Sequence, residues 1–189
     1  MGLRNTAKRV RLATVVAAVS ALSFVVCGCS FIGGRPAAAE IAEVHVDSPQ
    51  LRDGKPLPRE FSCKGKGTSP PLRWSTEPLS AAKSIAIVVD DSSASGAAVH
   101  WVIYNIDPRT TLLGEDASSD PPPGSSQARV TSGKAGYQPP CQDKGNYRVS
   151  VYVLNGRVPV KSDRTLREIL QDVATQTIAR GRLTAVDIE

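Results

Sequence analysis

Residues 83–106, "KSIAIVVDDSSASGAAVHWVIYNI", decide the fold. "KSIAIVVDD" is a continuous branched apolar run, the pattern of a strand buried on both faces. "AVHWVIYNID" carries the β-branched and aromatic residues of a second strand. A serine-rich turn joins them, so the two form a hairpin or lie close together. Asp90 and Asp91 end the first run, and His100, one of only two histidines in the chain, opens the second. Polar groups therefore collect where two apolar strands meet.

Further strands lie on either side. "AEVHVDS" alternates as a first strand, with His45 on its surface, and "LRDGKPLPREFSC" carries an Asp53-Gly54 turn. Pro70 and Pro71 keep "SPPLRWS" out of a helix. Residues 107–146 are loop-rich, and "ASSDPPPGSSQA" has the composition of an exposed irregular segment. "YRVSVYVLN" is the clearest strand, with Tyr147, Val149, Val151 and Val153 on one face and Arg148, Ser150, Tyr152 and Leu154 on the other. One helix is predicted, capped by Asp163 and running through "RTLREILQDVATQTIA" on Leu166, Ile169, Leu170, Val173, Thr177 and Ile178. Gly181 would stop it, and "RLTAVDIE" reads as a last strand. Strands followed by one late helix indicate a mainly antiparallel β domain with that helix against its rim. Trp74 and Trp101 are expected in the core.

The N-terminus is of another kind. Arg4, Lys8, Arg9 and Arg11 precede the apolar run "LATVVAAVSALSFVVCGC", which describes an export signal. Val26-Cys27-Gly28-Cys29 resembles the lipobox of bacterial lipoproteins, with Cys29 as the acylated residue; the alternative is an uncleaved anchor helix. The chain then divides into a signal at 1–28, a lipidated tether at 29–43 and a domain at 44–189. This leader gives the expectation that the domain is lipid-anchored at the cell membrane, outside the cytoplasm. The whole chain has 23 basic and 18 acidic residues, but without the four cations before Cys29 the balance is 19 to 18. That leaves no basic excess on the domain to support nucleic-acid binding. Cys63 and Cys141 are the thiols left to the domain, and an oxidising compartment favours a disulfide over two free thiols. Two cysteines with His100 do not make a zinc site.

"FSCKGKGTSPPLRW", "KSIAIVVDD", "HWVIYNI" and "GYQPPC" followed by "YRVSVYVLN" occur in an order and spacing that resembles the phosphatidylethanolamine-binding proteins, especially the bacterial Raf kinase inhibitor-like branch. "IARGRLTAV" resembles the family's closing helix and strand. The resemblance implies an antiparallel β-sandwich with Greek-key connections and a small anion pocket for phosphate-like headgroups. It places the pocket on Asp90, as the start of a DPDAP motif, on His100, and on Tyr147 of an HRY motif. The histidine of that last motif falls on Gly145, DPDAP is replaced by Asp90-Asp91-Ser92-Ser93-Ala94, and the Pro-Pro that follows Cys141 in the family is Gln142-Asp143.

The residues themselves allow the same site. A carboxylate beside His100 would hold the ring in one tautomer, and a protonated His100 near the Tyr147 hydroxyl could receive a monoanion. Asp91 is read as a solvated turn residue. Alternatively Asp90 caps its own turn and His100 is structural. The expectation is a membrane-tethered binding protein with no cofactor, acting on a small anionic ligand or lipid headgroup rather than by catalysis. Two rivals use the same chain. One is an interaction or inhibitor module that meets an unspecified protein partner through the 114–130 loop. The other is a serine hydrolase with Asp90, His100 and Ser92 or Ser93, although no G-x-S-x-G elbow is present.

Overall fold

A computed structural model describes residues 41–75, 80–92 and 97–189. The predicted cleavage region, Cys29 and Ser93 lie outside the described residues. Two sheets face each other across one apolar core. The larger contains β1 (Ala42–Glu43), β4 (Ser84–Ser92), β5 (Val99–Ile106), β7 (Ser126–Gln127), β8 (Asn146–Leu154) and β9 (Thr177–Val186). Its order is β1-β9-β8-β4-β5-β7. The smaller sheet contains β2 (His45–Asp47), β3 (Leu72–Ser75) and β6 (Leu112–Leu113), in the order β2-β3-β6. β4 and β5 form the expected antiparallel pair, and β8 returns from a long connection to flank β4 on its other side. These non-consecutive neighbours give the expected sandwich its Greek-key character.

Alternation explains the layers. Ile85, Ile87 and Val89 of β4, with Tyr147, Val149, Val151 and Val153 of β8, enter the core between the sheets. Leu72 and Trp74 meet them from the smaller sheet, and Trp101 is fully buried. Ala86, Val88 and Leu154 point the other way, into a second cluster covered by Ile169 and Val173 of α1 (Leu166–Gln176). β4 is thus buried on both faces almost to its end.

The helix differs from expectation at both ends. Thr165, not Asp163, is its cap: the Thr165 hydroxyl accepts from the Glu168 backbone N–H while the Glu168 carboxylate accepts from the Thr165 N–H. The helix stops at Gln176, and β9 begins at Thr177. The β-branched pair Thr177-Ile178 joins the strand, and Gly181 lies inside β9 instead of ending the helix. The predicted first strand is also divided. β1 runs parallel to β9 in one sheet, the chain crosses at Val44, and β2 pairs with β3 in the other. His45 is exposed on β2, as expected.

Candidate functional site

The site forms where β4 ends beside β5 and β8. Consecutive strand residues point to opposite faces, so Asp90 and Asp91 cannot share a role. Asp90 lies opposite Arg148 on β8, and its Oδ1 accepts from the Arg148 Nε in an ion pair on the outer face. Asp91 lies opposite Tyr147, on the inner side. The register shift between Val89 and Asp90 brings the start of β5 over it. Asp91 Oδ1 accepts from the Ala98 N–H at 2.8 Å, and Oδ2 lies 3.2 Å from His100 Nε2. The expected Asp90–His100 pair is therefore corrected to Asp91–His100. Asp91 is 3% exposed, not a solvated turn residue.

His100 is held from both sides. Its Nδ1 lies 3.0 Å from the Gln138 carbonyl oxygen, and the Gln138 N–H donates to the His100 carbonyl at 2.8 Å. Both ring nitrogens face oxygens, which fixes the plane of the ring between them. Tyr147 completes the wall, with its ring edge-on to His100 at a centroid separation of 6.3 Å. Its hydroxyl donates to the Gln142 carbonyl. Burial first, then the negative fields of Asp91, Asp187 and Asp143, push the Tyr147 phenol up to about 12. The hydroxyl therefore keeps its proton and remains a donor at neutral pH. Of the three residues expected in the pocket, the structure brings His100 and Tyr147 together and turns Asp90 away.

Sequence reasoning also missed the part played by residues 137–142, an irregular segment between β7 and β8. Cys63 and Cys141 form a disulfide with Cα atoms 5.2 Å apart, and the Cys63 N–H donates to the Pro140 carbonyl at 3.0 Å. The Tyr137 hydroxyl donates to the Phe61 carbonyl at 2.6 Å, and a Lys64–Asp143 ion pair joins the same two loops. This clamp sets the Gln138 and Gln142 carbonyls against the site. Asp91 had a visible signal: with the DPDAP comparison moved by one residue, Asp91-Ser92-Ser93-Ala94 matches the aspartate and the alanine together. The two backbone carbonyls had none, since every residue carries one.

Of the two serines of the hydrolase rival, only Ser92 is among the described residues. Ser92 is exposed and follows the outer-face alternation of Asp90, away from Asp91 and His100. The 114–130 loop is tied into the fold: the Asp116 N–H donates to the Ser69 carbonyl at 2.9 Å, Arg157 donates to the Gly124 carbonyl at 3.0 Å, and β7 pairs with β5.

Comparison with known proteins agrees with this architecture. A family model described as phosphatidylethanolamine-binding protein matches residues 47–187. The chain is 35% identical over 143 residues to LppC of Mycobacterium tuberculosis, which carries a lipoprotein name; the match covers 73% of this chain and 69% of LppC. A UPF0098 protein of Chlamydia muridarum is 33% identical over 138 residues, covering 69% of this chain and 89% of its own. Among solved structures, a Chlamydia trachomatis protein described as a homologue of the family superposes with a TM-score of 0.68 at 30% identity, covering 79% of this chain and 99% of that one. YbcL of E. coli superposes with a TM-score of 0.71 at 29% identity, covering 78% and 99%. With the sandwich, the four ordered motifs and this coverage in agreement, the chain belongs to the phosphatidylethanolamine-binding protein family.

Proposed function

We propose that the protein is a membrane-anchored, extracytoplasmic binding protein that takes a small anion or phosphate-type headgroup at His100 and Tyr147 and performs no catalysis. The observation that carries this reading is the clamped imidazole: Asp91 on Nε2 and Gln138 on Nδ1 fix the His100 ring beside a tyrosine hydroxyl that stays protonated. An arriving oxyanion would take over the Tyr147 donor from the Gln142 carbonyl. Asp91 orients the ring and is not itself a ligand contact. The lipoprotein name of a relative and the lipobox-like Cys29 support the anchor.

Titration of the purified protein with phosphate and with phosphoethanolamine, followed through the His100 imidazole resonances, tests the reading. Saturable shifts that vanish in His100→Ala and weaken in Tyr147→Phe are expected; an unchanged spectrum at saturating ligand would sink it. A second reading, an interaction module with a vestigial pocket, is favoured by one observation. The Tyr147 hydroxyl and both His100 nitrogens already have partners within the protein. Partner capture lost on deletion within 114–130 but kept in His100→Ala would support that reading instead.

A further inference from the structure

The outer face of the larger sheet is divided. α1 covers the Ala86, Val88 and Leu154 half. Over β8 and β9 lies a concavity of about 420 Å³, lined on the sheet by Ser150, Tyr152, Arg180 and Arg182 and at its lip by Ile41 and Glu43. Strand register builds it: Ser150 lies opposite Arg182, and Tyr152 opposite Arg180. Ser150 is small and 2% exposed, so it forms a floor among longer side chains. Its Oγ accepts from Arg182 Nε at 3.2 Å, which orients that guanidinium and leaves its terminal nitrogens without a partner among the described residues. Arg180 is exposed and enters no ion pair among them. Arg148, next along β8, is occupied by Asp90. Two guanidiniums thus stand against the single carboxylate of Glu43.

The position of the groove indicates its occupant. Ile41, 45% exposed, is where the tether enters the fold. The eleven residues 30–40 separate it from Cys29. They span at most roughly 40 Å when extended and roughly 18 Å as a flexible coil. A lipid on Cys29 would therefore hold this groove, more than any distant face, near the bilayer.

We propose that the Arg180–Arg182 groove docks on phosphate groups of anionic phospholipids in the membrane that carries the tether, so that the domain sits on its anchor in a defined orientation. The proposal rests on the membrane-anchored reading above. Guanidinium forks match phosphate oxygens bidentately, and the part-buried Tyr152 presents the amphipathic ring suited to a headgroup layer.

The test uses the full-length chain carrying Cys29→Ser, sedimented with vesicles of phosphatidylcholine alone or mixed with phosphatidylglycerol. The basic leader is common to every variant, so the readout is the change in preference for the anionic vesicles. Arg180→Gln with Arg182→Gln is expected to reduce it roughly thirtyfold, about fivefold per arginine. Lys134→Gln with Lys161→Gln, which removes two exposed cations elsewhere, should leave most of it. Arg180→Lys with Arg182→Lys keeps the charge and loses the forks, so its preference should fall between the wild type and the glutamine pair, which separates lost charge from lost fold. Equal losses in the two glutamine pairs, or no loss in the arginine pair, overturn the proposal. Acylation of Cys29, read by mass spectrometry of the wild-type protein, tests the anchor separately, so the two failures are distinguishable.

Discussion

Two adjacent aspartates occupy different worlds because a strand turns each successive side chain to the opposite face. Asp91 is enclosed and supports the Ala98 N–H and His100, whereas Asp90 pairs with Arg148 at a surface where both side chains are about a quarter exposed, 24% and 29%. Asp91→Ala is expected to lower unfolding stability by about 1–3 kcal/mol for each group left unsatisfied. Asp90→Ala should cost about 1 kcal/mol or less. Urea denaturation of the two variants checks the ranking, and an equal loss would refute the assignment of faces. Tyr147 supplies a pH signature. Its pKa is raised from 10.0 to about 12 in the folded protein, so folding favours the protonated phenol. Its contribution is intact below pH 10 and is lost as pH climbs towards about 12. Tyr137, raised by burial, adds to the same alkaline decline. Denaturation midpoints should fall through this window, and less steeply in Tyr147→Phe.

Among the elements, the crossing of the N-terminal strand depends on one glycine. A Cβ at Gly181 would overlap the Val44 carbonyl, at the point where the chain leaves β1 for β2. The Val44 N–H donates to the Arg180 carbonyl at 2.9 Å, so the backbones meet here directly. Gly181→Ala should destabilise the protein by about 1–3 kcal/mol, as overpacking does. It should also speed hydrogen exchange at Val44 over that of β4 amides. The helix boundary teaches a related lesson. Periodicity carried the predicted helix into Thr177 and Ile178, yet β9 claims both: Thr177 pairs with Leu154 of β8, and Ile178 is the extra residue at the register shift that follows. Gly181 was read as a helix stop from chain-local rules, while its reason is a contact with a segment far away in the sequence.

At the scale of the whole molecule, the Cys63–Cys141 disulfide closes a span of 78 residues between the loop before β3 and the irregular segment before β8. On the chain-entropy account a loop of that length contributes about 4–5 kcal/mol, chiefly by restricting the unfolded chain. Cys63→Ser, or reduction, should lower the urea midpoint accordingly. Because the clamped segment presents Gln138 and Gln142 to the site, the same treatment should shift the His100 imidazole resonances. A midpoint indifferent to reductant would show that the bridge adds nothing to the fold.

The mainly antiparallel β character, the β4–β5 pair, the two faces of β8 and the buried tryptophans were legible in the residues, and the sandwich through the family resemblance. Hydrophobic period and turn chemistry are local properties, written into neighbouring residues. His100 and Tyr147 were legible as site residues through their motifs. Which aspartate meets the histidine was settled only in three dimensions, by a register shift at the end of β4 that a strand pattern does not encode. The division of the first strand between sheets and the basic groove on β8 and β9 are likewise products of pairing between distant segments. Such pairings depend on how the whole core closes, and no short stretch of the chain specifies them.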